Sequence, residues 1–300
     1  MKRLGYDICD ASSDSRSADG TLATRRMSGP LPEVPLSEVI TPRRYNDPEW
    51  AALHADLERY SVDKHVFSTS EGHIYRKGWE WTHCLYGLRK LGALSSDARA
   101  LGVGAGREPV IFWLADHIRE IVATDLYGNE TWTRSDGVEA PAEILADATP
   151  YCACTVDLSR IKFQSADGTA LPYADESFDF CWSLSSIEHF GGHEAAAQAV
   201  REMARVTKSG GIVCIATEYL LLEEYSHPEF FNRDEINRFI IGASKDLSLV
   251  NGMSWDLPPT EYLIDQICFN GEGVHRCRRH VVLNDGYVQW TSLMVFLRKK

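Results

Sequence analysis

The segment Ala98-Arg-Ala-Leu-Gly102-Val-Gly104-Ala-Gly106 runs from an apolar strand into a glycine-rich turn. A helical run, Glu108 to His117, follows, and a second apolar strand, Ile121-Val-Ala-Thr-Asp125, ends on a carboxylate. Strand, glycine turn, helix, strand and terminal acid form a βαβ unit suited to an adenosine-bearing cofactor. Glycines let the backbone turn tightly and approach a ligand with no Cβ in the way. An acid at the end of the second strand accepts hydrogen bonds from both ribose hydroxyls. The dinucleotide pattern Gly-x-Gly-x-x-Gly is not met, because its sixth position is Arg107 and the third glycine is Gly106. In dinucleotide sites that last glycine allows close helix–strand packing beneath a pyrophosphate.

Further along stand Asp167-Gly-Thr-Ala-Leu171-Pro172, Ser177-Phe178-Asp179, Glu188-His189, Arg201-Glu-Met-Ala-Arg205-Val206 and Lys208-Ser-Gly210-Gly211. In this order after a glycine turn, they resemble the class I S-adenosylmethionine-dependent methyltransferases. The resemblance is close over residues 98–220 and looser beyond. It implies an α/β fold with a doubly wound, mostly parallel seven-stranded sheet of Rossmann-like type, and S-adenosyl-L-methionine as cofactor. It also implies roles. Gly102, Gly104 and Gly106 would lie under the methionine part, and Asp125 would hold the ribose diol. Asp167 would accept from the adenine amino group with Gly168 behind the ring, and Ser183 to Ser186 would line the pocket.

Two departures from the family pattern stand out. The family usually has Asp or Glu two residues before the first glycine, binding the methionine amino group through water; here that residue is Ala100. The stretch from Asp125 to Asp167 is also longer than in minimal members. It contains Trp132, Pro141, Pro150 and Tyr151, and is expected to form part of a substrate wall.

Around this core the chain divides into three. Residues 1–44 are rich in Ser, Asp, Gly, Arg and Pro without apolar period, and are expected to be disordered. Residues 45–97 read as an N-terminal helical layer or lid: Trp50, Leu53 and Leu57 make one stripe, and Trp79, Cys84, Leu85, Leu88 and Leu91 another. Residues 98–300 form the cofactor-binding catalytic domain. Strands are expected near 99–103, 120–125, 161–165, 178–183, 211–217, 246–251 and 288–298, mostly alternating with helices. Ala196, Val200, Met203 and Ala204 give one helix its apolar face, Asn232-Arg-Asp-Glu235 is a capping box, and Asn284-Asp-Gly286 signals a hairpin turn.

Composition narrows the function. A net charge of −12, from 31 basic and 43 acidic residues, argues against a nucleic-acid partner. The basic stretch Arg276-Cys-Arg278-Arg279-His280 reads as a solvated loop. No apolar run of membrane-spanning length occurs, and Met1-Lys-Arg-Leu-Gly-Tyr lacks a signal-peptide core, so a cytoplasmic location is expected. Eight cysteines without a paired framework fit a reducing compartment. Cys152-Ala-Cys154 and His275-Arg-Cys277-Arg-Arg-His280 lack zinc-site spacing, so no metal is expected.

Methyl transfer from a sulfonium needs an aligned acceptor, exclusion of water and a place for the acceptor's proton. His189 and Glu188, just past the fourth core strand, are the catalytic candidates. Tyr75, Arg76 and Trp79 before the glycine turn, and Tyr219 after the fifth strand, are the candidate substrate contacts. The expected acceptor is a small molecule or glycan, methylated at O or N. Two alternatives stand beside this reading. One is a methyltransferase-like protein that binds without turnover, which Ala100 keeps open. The other is a nicotinamide-dependent oxidoreductase, suggested by Tyr60-Ser-Val-Asp-Lys64, although that pair precedes the glycine turn.

Overall fold

In the computed structural model the described residues are 34–69, 74–128, 140–260, 262, 267–268, 279–284 and 286–300. The strands are β1 (Ser37–Val39), β2 (Ile74–Tyr75), β3 (Arg99–Val103), β4 (Glu120–Asp125), β5 (Ile161–Ser165), β6 (Phe178–Leu184) and β7 (Thr207–Leu220). There follow β8 (Leu247–Leu249), β9 (Met253–Ser254), β10 (Ile267–Cys268), β11 (Arg279–His280), β12 (Val282–Asn284) and β13 (Gln289–Lys299). The helices are α1 (Pro48–Glu58), α2 (Arg76–Lys90), α3 (Pro109–Ala115), α4 (His193–Val206) and α5 (Arg233–Glu235).

The main sheet is ordered β5-β4-β3-β6-β7-β13-β12-β10. From β5 to β7 every neighbouring pair is parallel, and β13 enters antiparallel to β7. Such strands, covered on both faces, read as continuous apolar runs; Phe178, Phe180, Cys181 and Trp182 of β6 are all fully buried. The chain runs outward from β3 through β4 to β5, then returns to the other side of β3 to begin β6. The order therefore reverses between β3 and β6, and ligands in open α/β sheets bind at the carboxyl ends of strands at such a switch. The glycine turn leaves β3 at that point.

All seven expected strands are present within an eleven-stranded sheet. The additional four, β1, β9, β10 and β12, are two- or three-residue edge pieces too short to show a period. Three short strands cover the free edge of β13 in succession. β12 lies opposite 289–291, β1 opposite 293–294 and β8 opposite 297–299. That arrangement removes a long unpaired edge. The β12–β13 hairpin is the one signalled at Asn284 and Gly286.

The expectation of disorder up to residue 44 is corrected by β1. Leu36, Val39 and Ile40 are buried, and buried Glu38 pairs with Arg44 at 2.5 Å and Arg43 at 3.0 Å. A few apolar residues with one satisfied acid order this stretch, and the polar average of the longer segment conceals them. Residues 1–33 lie outside the described residues, as do Trp132 and Arg276 to Arg278.

The stripes of the N-terminal layer are core. Trp50, Leu53, Leu57, Trp79, Cys84, Leu85 and Leu88 are buried, and Leu91 is half-buried. Asp47 caps α1 by accepting from the N–H groups of Glu49 and Trp50, with Pro48 as first helical residue. Helix α2 lies directly on β13, and a Cβ at Gly87 would stand 2.1 Å from the ring of Phe296. The Asn232–Glu235 capping box forms as read, but after α5 the chain continues as a π-helical stretch, Ile236–Ile241.

Candidate active site

The glycine turn is held from both neighbouring strands. Gly104 and Gly106 adopt φ of 63° and 50°, the left-handed region that favours glycine. Gly106 N–H donates to Asp125 Oδ2 at 2.9 Å, and Leu126 N–H donates to Oδ1 at 2.7 Å. On the other side Ser186 Oγ–H donates to the carbonyl of Gly104 at 2.7 Å. Gly102 has a different role. A Cβ there would meet the indole of Trp182 at 2.5 Å, so this glycine lets β3 and the Trp182 side chain approach.

Asp167 is exposed, and its Oδ1 accepts from both the N–H and the hydroxyl of Thr169, at 2.8 and 2.7 Å. This Asx turn fixes the direction of the carboxylate. Gly168 is buried against Phe190 and Val103, where a Cβ would stand 2.5 and 2.8 Å away. The same Phe190 ring lies 3.2 Å from where a Cβ on Gly104 would be. Phe190 thus joins the glycine turn to the Asp167 loop. It escaped the sequence reading, although an aromatic residue directly after Glu188-His189 was its signal.

Beneath this rim lies a buried charged cluster. Arg76 Nη1 donates to Glu80 Oε1 at 3.1 Å, Glu218 Oε1 at 2.5 Å and Ser292 Oγ at 3.2 Å. Ser185 Oγ–H donates to Glu80 Oε2 at 2.9 Å, and Lys77 Nζ stands 3.2 Å from the same oxygen. Lys77 and Arg76 hold the Glu80 carboxyl below its ordinary range despite burial. Ser185 sits at φ 51°, unusual for a residue with a side chain, at the end of β6. A buried ion cluster of this kind fixes geometry more surely than it adds stability.

Four substrate candidates receive different placements. Arg76 is locked in the buried cluster, and Trp79 is wholly buried, stacked on His83 with centroids 4.6 Å apart. Tyr219 is also buried, its ring 5.6 Å from that of Trp255. Tyr75 alone is half-buried, stacked on His280 at 4.0 Å. Arg76 reaches β7 and β13 through Glu218 and Ser292, so the packing of α2 on the sheet sets its place.

Glu188 is fully buried, accepts from Thr217 Oγ1 at 3.1 Å through Oε2, and among the described residues has no hydrogen-bond partner at Oε1. Burial, then the nearby charge of Glu218, pushes its pKa up to about 8. His189, a third exposed, turns outward with Nδ1 3.8 Å from a carboxylate oxygen of Glu229. Ser183 is buried within β6 and its hydroxyl has no partner among the described residues, whereas Ser185 and Ser186 form the edge of the site.

Charge at the turn is mostly negative. Glu108, immediately before α3, accepts from Trp182 Nε1–H at 3.2 Å. Burial raises its pKa well above the ordinary range, with the negative charges of Glu80 and Asp125 adding and Lys77 opposing. Arg107 turns away, 3.8 Å from Asp63. A pyrophosphate is favoured at a helix N-terminus that offers free N–H groups; here Glu108 precedes α3 and Pro109, its first residue, has no N–H to offer. A ligand with an adenosyl group and net positive charge suits the turn, the Asp125 and Asp167 carboxylates and this acidic surround. The oxidoreductase cue also dissolves: Tyr60 donates to Asp116 at 2.8 Å and Lys64 to the carbonyl of Glu58, so the two serve separate structural contacts.

A Rossmann-like sheet carries a glycine turn with the Asp125 and Asp167 carboxylates beside it at its switch point. Residues 101–215 match the family model for a methyltransferase domain, which supports the resemblance to the class I S-adenosylmethionine-dependent methyltransferases. It is 46% identical over 57 residues to methyltransferase GfsG of Streptomyces halstedii, covering 19% of each chain. It is 32% identical over 87 residues to a probable tRNA methyltransferase 9B of Mus musculus, covering 28% of this chain and 19% of the other. The chain thus spans about a fifth of the length of these relatives. Among solved structures, the YcgJ protein of Bacillus subtilis superposes with a TM-score of 0.48 at 19% identity, over 73% of this chain and 98% of that one. Among the described residues no helix is long and apolar enough to cross a membrane.

Proposed function

We propose that the protein transfers a methyl group from S-adenosyl-L-methionine to oxygen or nitrogen of a small-molecule or glycan acceptor. The observation that supports this most is the acid-lined turn. Glu108 and Asp125 flank the glycines where a dinucleotide site would present N–H groups to phosphate. When bound, the cofactor supplies an electrophilic methyl on a sulfonium. The protein's part is to position and to manage a proton. Asp125 and Asp167 orient the adenosyl end, and Ser186 and Phe190 fix the turn between them.

His189, oriented by Glu229, receives the acceptor's proton at the rim of the site, and the buried cluster beneath holds the ends of β6 and β7 in place. An overall charge of −12 favours a small acceptor over RNA. The match to a probable tRNA methyltransferase makes RNA the acceptor class to test against it.

The test is transfer of label from methyl-labelled S-adenosylmethionine to panels of hydroxylated small molecules and saccharides, with unmodified tRNA as the rival acceptor. Incorporation into tRNA alone would overturn the acceptor class. His189→Ala should lower turnover more than cofactor binding, and unchanged turnover across pH would remove His189 as the base.

A further inference from the structure

The Ala100 departure raises the question of what receives the α-ammonium of the cofactor. We propose that Glu108 does, in place of the missing acid on β3. This inference rests on the cofactor reading above.

Side chains alternate along a strand, so residues 100 and 102 project from the same face of β3. Gly102 is opposite Trp182 in the β3–β6 register, and the Trp182 indole lies 2.5 Å from where a Gly102 Cβ would be. The indole therefore covers the face from which an acid at position 100 would project. Its Nε1–H reaches Glu108 Oε2 at 3.2 Å and holds that carboxylate above the same face. Ala100, on the same face, is fully buried and carries no polar group. Small residue on the strand, indole across it and carboxylate at the indole nitrogen together amount to an acid relocated from strand to turn.

The charges around Glu108 agree with this. Asp125 and Glu80 add negative potential and Lys77 offsets part of it. Arg76, in the buried cluster beneath, is bound to Glu80 and Glu218. An ammonium at Glu108 would offset that burial and negative potential and so favour the ionised carboxylate hydrogen-bonded to Trp182.

The test is calorimetric binding of three ligands to the full chain: S-adenosylmethionine, S-adenosylhomocysteine and 5′-methylthioadenosine, which lacks the amino-acid end. Glu108→Gln should weaken the first two roughly ten- to hundredfold, the range for loss of a hydrogen bond to a charged group. It should leave 5′-methylthioadenosine unchanged. Equal weakening of all three, or no weakening, overturns the role of Glu108. Wild-type protein that binds none of them instead removes the cofactor reading itself. If Glu108→Gln fails to fold, Glu108→Asp keeps the charge and shortens its reach. It should show the same selective loss, and wild-type affinity in that variant would overturn the assignment.

Discussion

The hydroxyl of Ser186 donates to the carbonyl of Gly104 across 2.7 Å, and so ties the end of β6 to the glycine turn that leaves β3. The two strands on either side of the topological reversal thereby set one another's geometry. Ser186→Ala should cost about 1 kcal/mol of stability, the usual net worth of one hydrogen bond. Cofactor affinity should fall several-fold. Gly104→Ala should do more: its φ of 63° is strained for alanine, and the new Cβ would stand 2.6 Å from Ser186 Cβ. A loss of about 1–3 kcal/mol is expected. Thermal melting of both variants checks the order, and Gly104→Ala as stable as wild type would refute it.

Asp125 accepts from Gly106 and Leu126 through its two oxygens, which aligns its carboxylate at the carboxyl edge of β4. Asp125→Ala should remove ribose recognition and also loosen the turn, lowering affinity for S-adenosylmethionine and 5′-methylthioadenosine together, by roughly tenfold or more. The parallel loss separates it from Glu108→Gln. Equilibrium titration of both ligands measures it.

Glu188 gives a pH signature. Its folded pKa of about 8 lies above the ordinary 4.5, so between these values the folded state holds a proton that the unfolded state has released. Stability from this group is complete below about 4.5 and is lost as pH rises toward 8. Glu188→Gln cannot ionise. Its stability relative to wild type should therefore climb from pH 5 to pH 8.5, and urea unfolding across that range would show a flat difference if the reading is wrong.

His54 and His83 act at the acid end. Burial lowers each to about 4, below the ordinary 6.5. The unfolded state takes up protons first as pH falls through this window, so stability drops between about 6.5 and 4. Replacing His83, which hydrogen-bonds the Leu36 carbonyl at 2.8 Å, by Gln should shallow that limb while costing stability at neutral pH. An unchanged slope in acid unfolding would count against it.

At Gly87 two effects compete. Alanine is favoured over glycine inside a helix by up to about 1 kcal/mol. Its Cβ, however, would enter the ring of fully buried Phe296, and overpacking costs about 1–3 kcal/mol. The clash should win, giving a destabilised Gly87→Ala that Phe296→Leu partly relieves. A double-mutant cycle by thermal melting reads the coupling.

The sheet was legible because its strands announce themselves locally. The apolar run into Gly102, the apolar stretch Leu293–Leu297 of β13 and the Asn284–Gly286 turn need no distant partner to be read. β1 was hidden, since three residues carry no period and its order comes from β13 on one side and from Arg44 on Glu38. Asp125 and Asp167, the acids proposed to face the cofactor, follow from motif order, while Phe190 and Glu108 matter only through contacts made by Gly168, Gly104 and Trp182. On the substrate side, sequence gives residue types without their depth. Arg76 and Trp79 look like binding groups in a line of sequence, and only the packing of α2 shows that they face inward.

The most direct measurement is calorimetric titration of the purified chain with S-adenosylmethionine, with NADH and NADPH as controls. Saturable binding of the sulfonium alone is the expected result, because carboxylates at the glycine turn attract a cationic ligand and repel a pyrophosphate. Binding of either nicotinamide cofactor, with none of S-adenosylmethionine, would contradict the account at its centre.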